Sequence, residues 1–405
     1  MKCLRRRDKL KTGAKSAYVK IALVTETFPP EVNGVAMTLH RLAAGLAAAG
    51  HQLEVVRPRQ KSADRDKPEK PSKEFLVPGL PLPGYAGLQF GLPAYFTLRR
   101  HWAVNRPEVV HIATEGPLGL SALWAARALG VTATSSFHTN FHAYSKHYGV
   151  GLFKSLGFAY LRWFHNQTAC TFVPSADLVE TLTAAGFCNL RLLGRGVDTV
   201  LFAPTRRDEA LRAEWGAGPD TPVALCIGRL AAEKNLPLVV ETWTALRARQ
   251  PDLRLVLVGD GPLRRQLQAR HPEIHFAGVR LGENLARHYA SGDLFLFPSS
   301  TETFGNVVTE ALASGLIAVA YDYAAGRTHI REGENGFLAP YNAPRGFQAA
   351  ALRALESRDQ WPTLRAAARQ TAQGISWDPI IARFADTLEA ARAASARLPI
   401  LLRTS

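Results

Sequence analysis

The chain has 405 residues and a formal charge of +15, from 49 Lys and Arg against 34 Asp and Glu, with 20% of residues charged. That length exceeds one ordinary core and predicts two domains, and so modest a charge density argues against a disordered chain. The cationic excess favours anionic partners, whether nucleotide phosphates, nucleic acid or an anionic membrane, without choosing among them. No window reaches the roughly 18 uninterrupted apolar residues of a membrane span.

Residues 1–20 hold eight Lys or Arg and one Asp. No apolar segment follows them before the first strand, so a signal peptide is not expected. Residues 1–17 read as a disordered basic extension or, on a sharper reading, as a tether to anionic headgroups. The four cysteines, Cys3, Cys170, Cys188 and Cys226, form no C-x-x-C pair and suggest no zinc site. Cys226 reads as a buried core thiol and the compartment as a reducing cytoplasm.

YVKIALVT (18–25) is a strand; the loop ETFPPEVNG leads into a helix over 35–50, and HQLEVVRP is the next strand. Residues 75–103 mix Leu80, Leu82, Tyr85, Leu88, Phe96, Arg99, Arg100 and Trp102. They suit an interfacial patch or irregular core packing. VVHIAT (109–114) and VTATSS are strands, each followed by helical sequence. Residues 203–221, charged and with Pro204 and Pro219, read as a linker. The alternation then restarts: TPVALCIGRL, LRLVLVGDG, IHFAGV, DLFLFPSS and LIAVAYD are strands separated by helices. The amphipathic helix from 376 can pack on either half.

Strands and helices thus alternate twice over, which predicts an α/β chain of two open sheets rather than one barrel. The expected layout is 18–203 and 204–375 as Rossmann-like domains, with 376–405 as a final helical segment. Such sheets bind ligands at the carboxyl ends of their strands, where the unusual residues fall. Arg229 and Lys234 in GRLAAEKN offer a donor fork and a point cation, both suited to a diphosphate; the alternative is an ordinary solvated loop. In SSTETFGNVVTEALASG (299–315), a helix starting near Gly305 would present free N–H groups to an anion. Glu302 precedes it and Glu310 lies inside it. They could accept hydrogen bonds from sugar hydroxyls, serve as dipole partner and solvated helix residue, or form a hydrolase pair, which one strand–helix unit suits poorly. Gly34 repeats the glycine device in the first half, without a G-x-G-x-x-G fingerprint. His138 follows a strand and could be a base, an electrophile or a ligand contact. His142 and His147 stand near it, but no carboxylate joins them, so no metal site is expected.

These motifs, in this order, resemble glycosyltransferase family 4 of the GT-B class, over residues 20 to about 385. The strongest piece is the E-x7-E pair Glu302 and Glu310. TETFPPEVNGVA, SFHTNF (136–141), GRGVD (194–198), GRLAAEKN (228–235) and VGDGP (258–262) support it. Leu316 stands where many relatives have Pro, which weakens only the loop match. The resemblance implies two Rossmann-like α/β/α domains facing a central cleft, and retaining transfer of a hexose from a nucleotide sugar without an essential metal or cofactor. It implies that Gly34 approaches the donor phosphate and His138 the hexose. Arg229 and Lys234 would hold the diphosphate, and Glu302 the hexose hydroxyls. Phe304, Gly305, Asn306 and Val307 would present backbone donors, and Glu310 would bind the ribose. Subgroup features favour GDP-mannose as donor, with UDP-glucose or another UDP-hexose next. The acceptor expected is a lipid or glycan hydroxyl, reached by a cytoplasmic protein peripheral on the inner face of an anionic membrane. A non-hydrolysing nucleotide-sugar epimerase and a two-lobed binding protein are the rivals. Nucleic-acid binding is not expected, because the arginines are spread over many helices.

Overall fold

The computed structural model describes residues 18–31, 33–60, 72–81, 89–138 and 151–396. The basic extension, His142, His147, Leu82, Tyr85 and Leu88 lie outside them. The chain divides into two compact units. One runs to Gly194 and resumes at Asp378; the other spans Arg195–Trp377.

The first unit is built on β1 (Lys20–Val24), β2 (Gln52–Pro58), β3 (Lys73–Val77), β6 (Val109–Ile112), β7 (Thr132–Ser136), β8 (Thr171–Val173) and β9 (Leu190–Leu192); β4 (Gly79–Pro81) and β5 (Gln89–Gly91) form a separate antiparallel pair. The main sheet is ordered β3-β2-β1-β6-β7-β8-β9, and every pairing is parallel. Strands such as KIALV are nearly continuous apolar runs because a parallel sheet is covered on both faces. Helix α1 (Gly34–Ala48) starts where Asn33 Oδ1 accepts from the Val35 and Ala36 amides at 3.1 and 2.8 Å. The loop before it is clamped by buried Glu31, which accepts from Thr27 Oγ1 at 2.6 Å and Gln60 Nε2 at 2.9 Å.

The last described helix, Trp377–Ala396, belongs to this unit. Phe384 packs edge-on against His111 and Phe172, with ring centroids 4.9 and 4.8 Å apart. Gly45 of α1 leaves room for Ile381: a Cβ there would lie 2.2 Å from its Cδ1. His111 is fully buried between Thr134 and Ser136, each 3.0 Å away, and burial lowers its pKa to about 3, so the ring is neutral.

The second unit has one six-stranded sheet, ordered β12-β11-β10-β13-β14-β15. Its strands are β10 (Val223–Ile227), β11 (Arg254–Val258), β12 (His275–Gly278), β13 (Leu294–Phe297), β14 (Ile317–Tyr321) and β15 (Gly336–Ala339). In each unit the strand order grows outward from a central strand and then reverses. The switch points fall between β1 and β6 and between β10 and β13, where such sheets take ligands.

Two expectations change. The segment read as a linker is part of the second unit. Arg212, fully buried, donates to the Ser291, Gly218 and Thr221 carbonyls at 2.7, 3.0 and 2.6 Å and pairs with Asp293 at 3.2 Å. Asp293 also takes Arg207 and Arg365 at 3.1 and 3.0 Å. Charges that look solvated in sequence are used inside the fold, and the unit begins at Arg195 rather than 204. Within 75–103, Leu98 and Trp102 are core residues with no exposed surface, whereas Phe96 and Val104 on the same helix α2 (Tyr95–Val104) are 79% and 82% exposed.

Arg212→Met removes the guanidinium that donates to three carbonyls and pairs with buried Asp293, and should destabilise the protein by about 3 kcal/mol. A lowered urea midpoint, followed by tryptophan fluorescence, is the expected reading. An unchanged midpoint would remove this network from the list of stabilising contacts.

Candidate active site

The second unit's switch point is assembled from three strand ends. Gly228 follows β10 and Gly259 follows β11, and the two loops touch: a Cβ on Gly259, whose φ is +136°, would lie 1.9 Å from the Gly228 carbonyl oxygen. β13 runs into the loop 298–305, and a helix follows at Asn306–Ala313. Gly305 caps that helix at φ +97°, ψ +60°, a conformation open to glycine at little cost. The loop is pinned by backbone acceptors. Tyr323 donates to the Glu302 carbonyl at 2.6 Å, Tyr341 to Ser300 at 2.8 Å, and the Ala325 amide to Phe304 at 2.8 Å. Asn306 and Val307 therefore stand in the first turn, where amides have no partner within the helix.

Lys234 and Glu302 are brought together directly. The Lys234 ammonium donates to Glu302 Oε1 and lies 5.3 Å from the Phe297 ring centroid. Ser299 Oγ donates to the same carboxylate oxygen at 2.7 Å. Burial opposes ionisation of Glu302, yet Lys234, Ser299 and Arg195 together hold its carboxyl below the ordinary range. Arg229, with a side chain 43% exposed, is paired loosely with Glu233 at 3.9 Å.

Glu310 has a different environment. It lies partly buried in the helix, where Tyr289 Oη donates to its Oε2 at 2.9 Å. Burial pushes its pKa up to about 7, with the Tyr289 bond acting against that rise. It is not a solvated helix residue. Tyr289, itself fully buried, carried no sequence signal, because its partner is 21 positions away.

In the first unit, His138 lies two residues beyond β7, after the fully buried Phe137, and Gly34 is the first residue of α1. The acid that sequence reasoning missed is Glu26, at the end of β1. The Leu118 amide donates to its Oε1 at 3.1 Å. A Cβ on Gly116 would lie 2.2 Å from both its carboxylate oxygens. Burial raises Glu26 to about 7, the Leu118 bond opposes that, and Glu115 adds to it. Among the described residues no group of three or more His, Cys, Asp or Glu is placed to hold a metal ion, and no helix is long and apolar enough to cross a membrane.

Paired Rossmann-like sheets, with a cation–carboxylate pair beside a helix start, define a GT-B glycosyltransferase. The fold is similar to that of sucrose-phosphate synthase from Thermosynechococcus elongatus, with a TM-score of 0.74 at 19% identity, covering 92% of this chain and 99% of that one. Residues 32–201 match the family described as Glycosyltransferase Family 4, and 221–357 match Glycosyl transferases group 1. A GDP-mannose-dependent alpha-mannosyltransferase of Mycobacterium tuberculosis is 35% identical over 92% of this chain and 97% of its own. One of Mycolicibacterium smegmatis is 36% identical over 82% and 86%. A GDP-mannose-dependent alpha-(1-6)-phosphatidylinositol dimannoside mannosyltransferase of M. tuberculosis is 27% identical over 92% and 96%. The chain belongs to glycosyltransferase family 4, and the protein is a hexosyltransferase.

The raised pKa of Glu310 has a stability signature. In the folded state it keeps its proton to about pH 7, whereas the unfolded carboxyl releases it near the ordinary carboxylate value of 4.5. The resulting stability is fully present below the unfolded pKa and is lost as pH rises through 7. Glu310→Gln should therefore gain on the wild type by about 1–3 kcal/mol between about pH 4 and pH 8. Denaturation curves that keep the same difference at both pH values would show an unperturbed carboxyl.

Proposed function

We propose that the protein transfers mannose from GDP-mannose, with retention, to a hydroxyl of a lipid or glycan at the cytoplasmic face of a membrane. The observation that carries the donor side is the Lys234–Glu302 pair at the β10/β13 switch point, beside the first-turn amides of Asn306 and Val307. The mycobacterial relatives are GDP-mannose-dependent.

On this reading the diphosphate lies at the helix start, against the amides that follow Phe304 and Gly305. Arg229 and Lys234 supply the cations. The helix dipole adds a fixed positive charge at the same end. Glu302 accepts from hexose hydroxyls, and Glu310 from the ribose. Gly34 and His138 serve the donor from the first unit, Gly34 near phosphate and His138 near the hexose. The acceptor oxygen bonds to the anomeric carbon while the bond from that carbon to the diphosphate oxygen breaks. The acceptor proton passes to the departing phosphate on the same face, which keeps the α configuration. Charge grows on phosphate oxygens as the bond lengthens. Fixed cations and amides act there because they need no reorganisation.

Support for a lipid surface comes from α2. Phe96, Arg99, Arg100 and Val104 are exposed on it, and Trp124 is 54% exposed on the helix Pro117–Ala128 that packs against it. An amphiphilic, cationic surface of this composition suits anionic headgroups. One relative is a phosphatidylinositol dimannoside mannosyltransferase, whose name carries an anionic lipid of this kind.

A donor screen of the purified protein, with GDP-mannose, UDP-glucose and UDP-galactose and with or without lipid extract, should give transfer from GDP-mannose alone, enhanced by lipid. Turnover of a UDP-hexose in its place would overturn the donor assignment. Lys234→Ala should lower kcat/KM by about 10²–10³-fold. His138→Ala should slow transfer more than it weakens donor binding, and full activity in that variant would remove His138 from the mechanism.

A further inference from the structure

The motif GRGVD contains an arginine to which the donor reading gives no task. Arg195 opens the second unit and is 5% exposed. Its Nη1 donates to Asn306 Oδ1 at 3.3 Å, and its guanidinium carbon lies 5.9 Å from the Phe304 ring centroid. Burial lowers its pKa only to about 10, with the charge of Glu302 acting to raise it, so it remains a cation at neutral pH. Two side chains of the candidate site, Asn306 and Phe304, thus contact this one buried group, and Glu302 stands two residues before Phe304 in the same loop.

Lys234 differs from Arg195 in kind. Its charge sits at the end of a flexible stem, its side chain is 20% exposed, and its ammonium rests on Glu302. The donor reading also requires that ammonium on the diphosphate. An incoming diphosphate carries more charge than one carboxylate and competes for the same cation. A partly buried carboxylate that loses its counter-charge is strongly destabilised. Glu302 must then be held by something that does not move when the donor arrives.

We propose that Arg195 is the standing counter-charge of Glu302, a positioning residue that keeps this carboxylate set for the hexose once Lys234 engages the diphosphate. The proposal rests on the donor reading above. Arg195 suits the task because its planar fork is fixed by Asn306 and by the Phe304 ring. Its contact with the first residue of the helix ties the sugar-side acid to the phosphate-side amides.

The test compares wild type, Arg195→Met, Arg195→Lys, Glu302→Gln and the Arg195→Met/Glu302→Gln double variant. GDP and GDP-mannose affinities are measured by calorimetry, and kcat and KM by GDP release. Arg195→Met should keep GDP affinity within about threefold and lose at least about tenfold in GDP-mannose affinity and in kcat. Arg195→Lys should recover most of that loss. In the Glu302→Gln background, Arg195→Met should cost little, because the charge it balances is gone. Equal loss for GDP and GDP-mannose would place Arg195 on the diphosphate and overturn the proposal. Full additivity with Glu302→Gln would make Arg195 merely structural and overturn it as well. Wild-type protein that binds neither ligand would sink the donor reading and this proposal with it, whereas wild-type binding with an unaltered Arg195→Met overturns the proposal alone.

Discussion

A charged carboxylate in a low-dielectric loop is the constraint on which this site depends. Glu302 is held below the ordinary carboxylate range because Lys234 and Ser299 donate to it from two separate stretches of chain, with the charge of Arg195 acting in the same direction. Lys234 follows β10, Ser299 follows β13, and Arg195 precedes both in the sequence. None of these positions would be fixed unless β10 and β13 were neighbours in the sheet, and they are neighbours because the strand order reverses there. The topology therefore supplies the charges with an address. Gly305 and Gly259 then let backbone approach where side chains would collide.

The two units place acids at equivalent switch points but treat them differently. Glu26 in the first unit has an amide donor and a carboxylate neighbour, Glu115, so burial dominates and its pKa rises to about 7. Glu302 in the second unit has cations, so it is held low. The same residue type at the same kind of position thus carries a readily exchanged proton in one unit and a fixed negative charge in the other. The fold is duplicated, but the electrostatics are not.

The legibility of the sequence followed the range of the interactions. Strand–helix alternation is local, and it predicted both sheets and the loop ends that carry Arg229, Lys234, Glu302 and Gly305. Gly305, between an apolar strand and a small-residue helix pattern, marked the helix start for the same reason. The linker reading failed at Arg212, whose acceptors lie up to 81 positions away at Asp293; in one dimension a buried arginine looks like a solvated one. Tyr289 and Glu26 were missed on the same grounds, since each matters through a partner that only the folded chain brings near. Arg195 stood inside a motif that had been noticed. Its burial beside Asn306, 111 positions on, is what gives it meaning.

The two glutamates eight residues apart invite a reading as one catalytic pair, and their environments argue against it. A cooperating acid and base must face one bond from opposite sides. Glu302 lies in the loop with Lys234 and Ser299, while Glu310 lies within the helix against Tyr289. Their pKa values are also pushed apart by different causes, cations for Glu302 and burial for Glu310. Separated acids of this kind suit a ligand with separated polar groups better than a single scissile bond. A nucleotide sugar is such a ligand. Its hexose and ribose hydroxyls flank a diphosphate, and the proposed reading gives that charge to the helix start between Glu302 and Glu310.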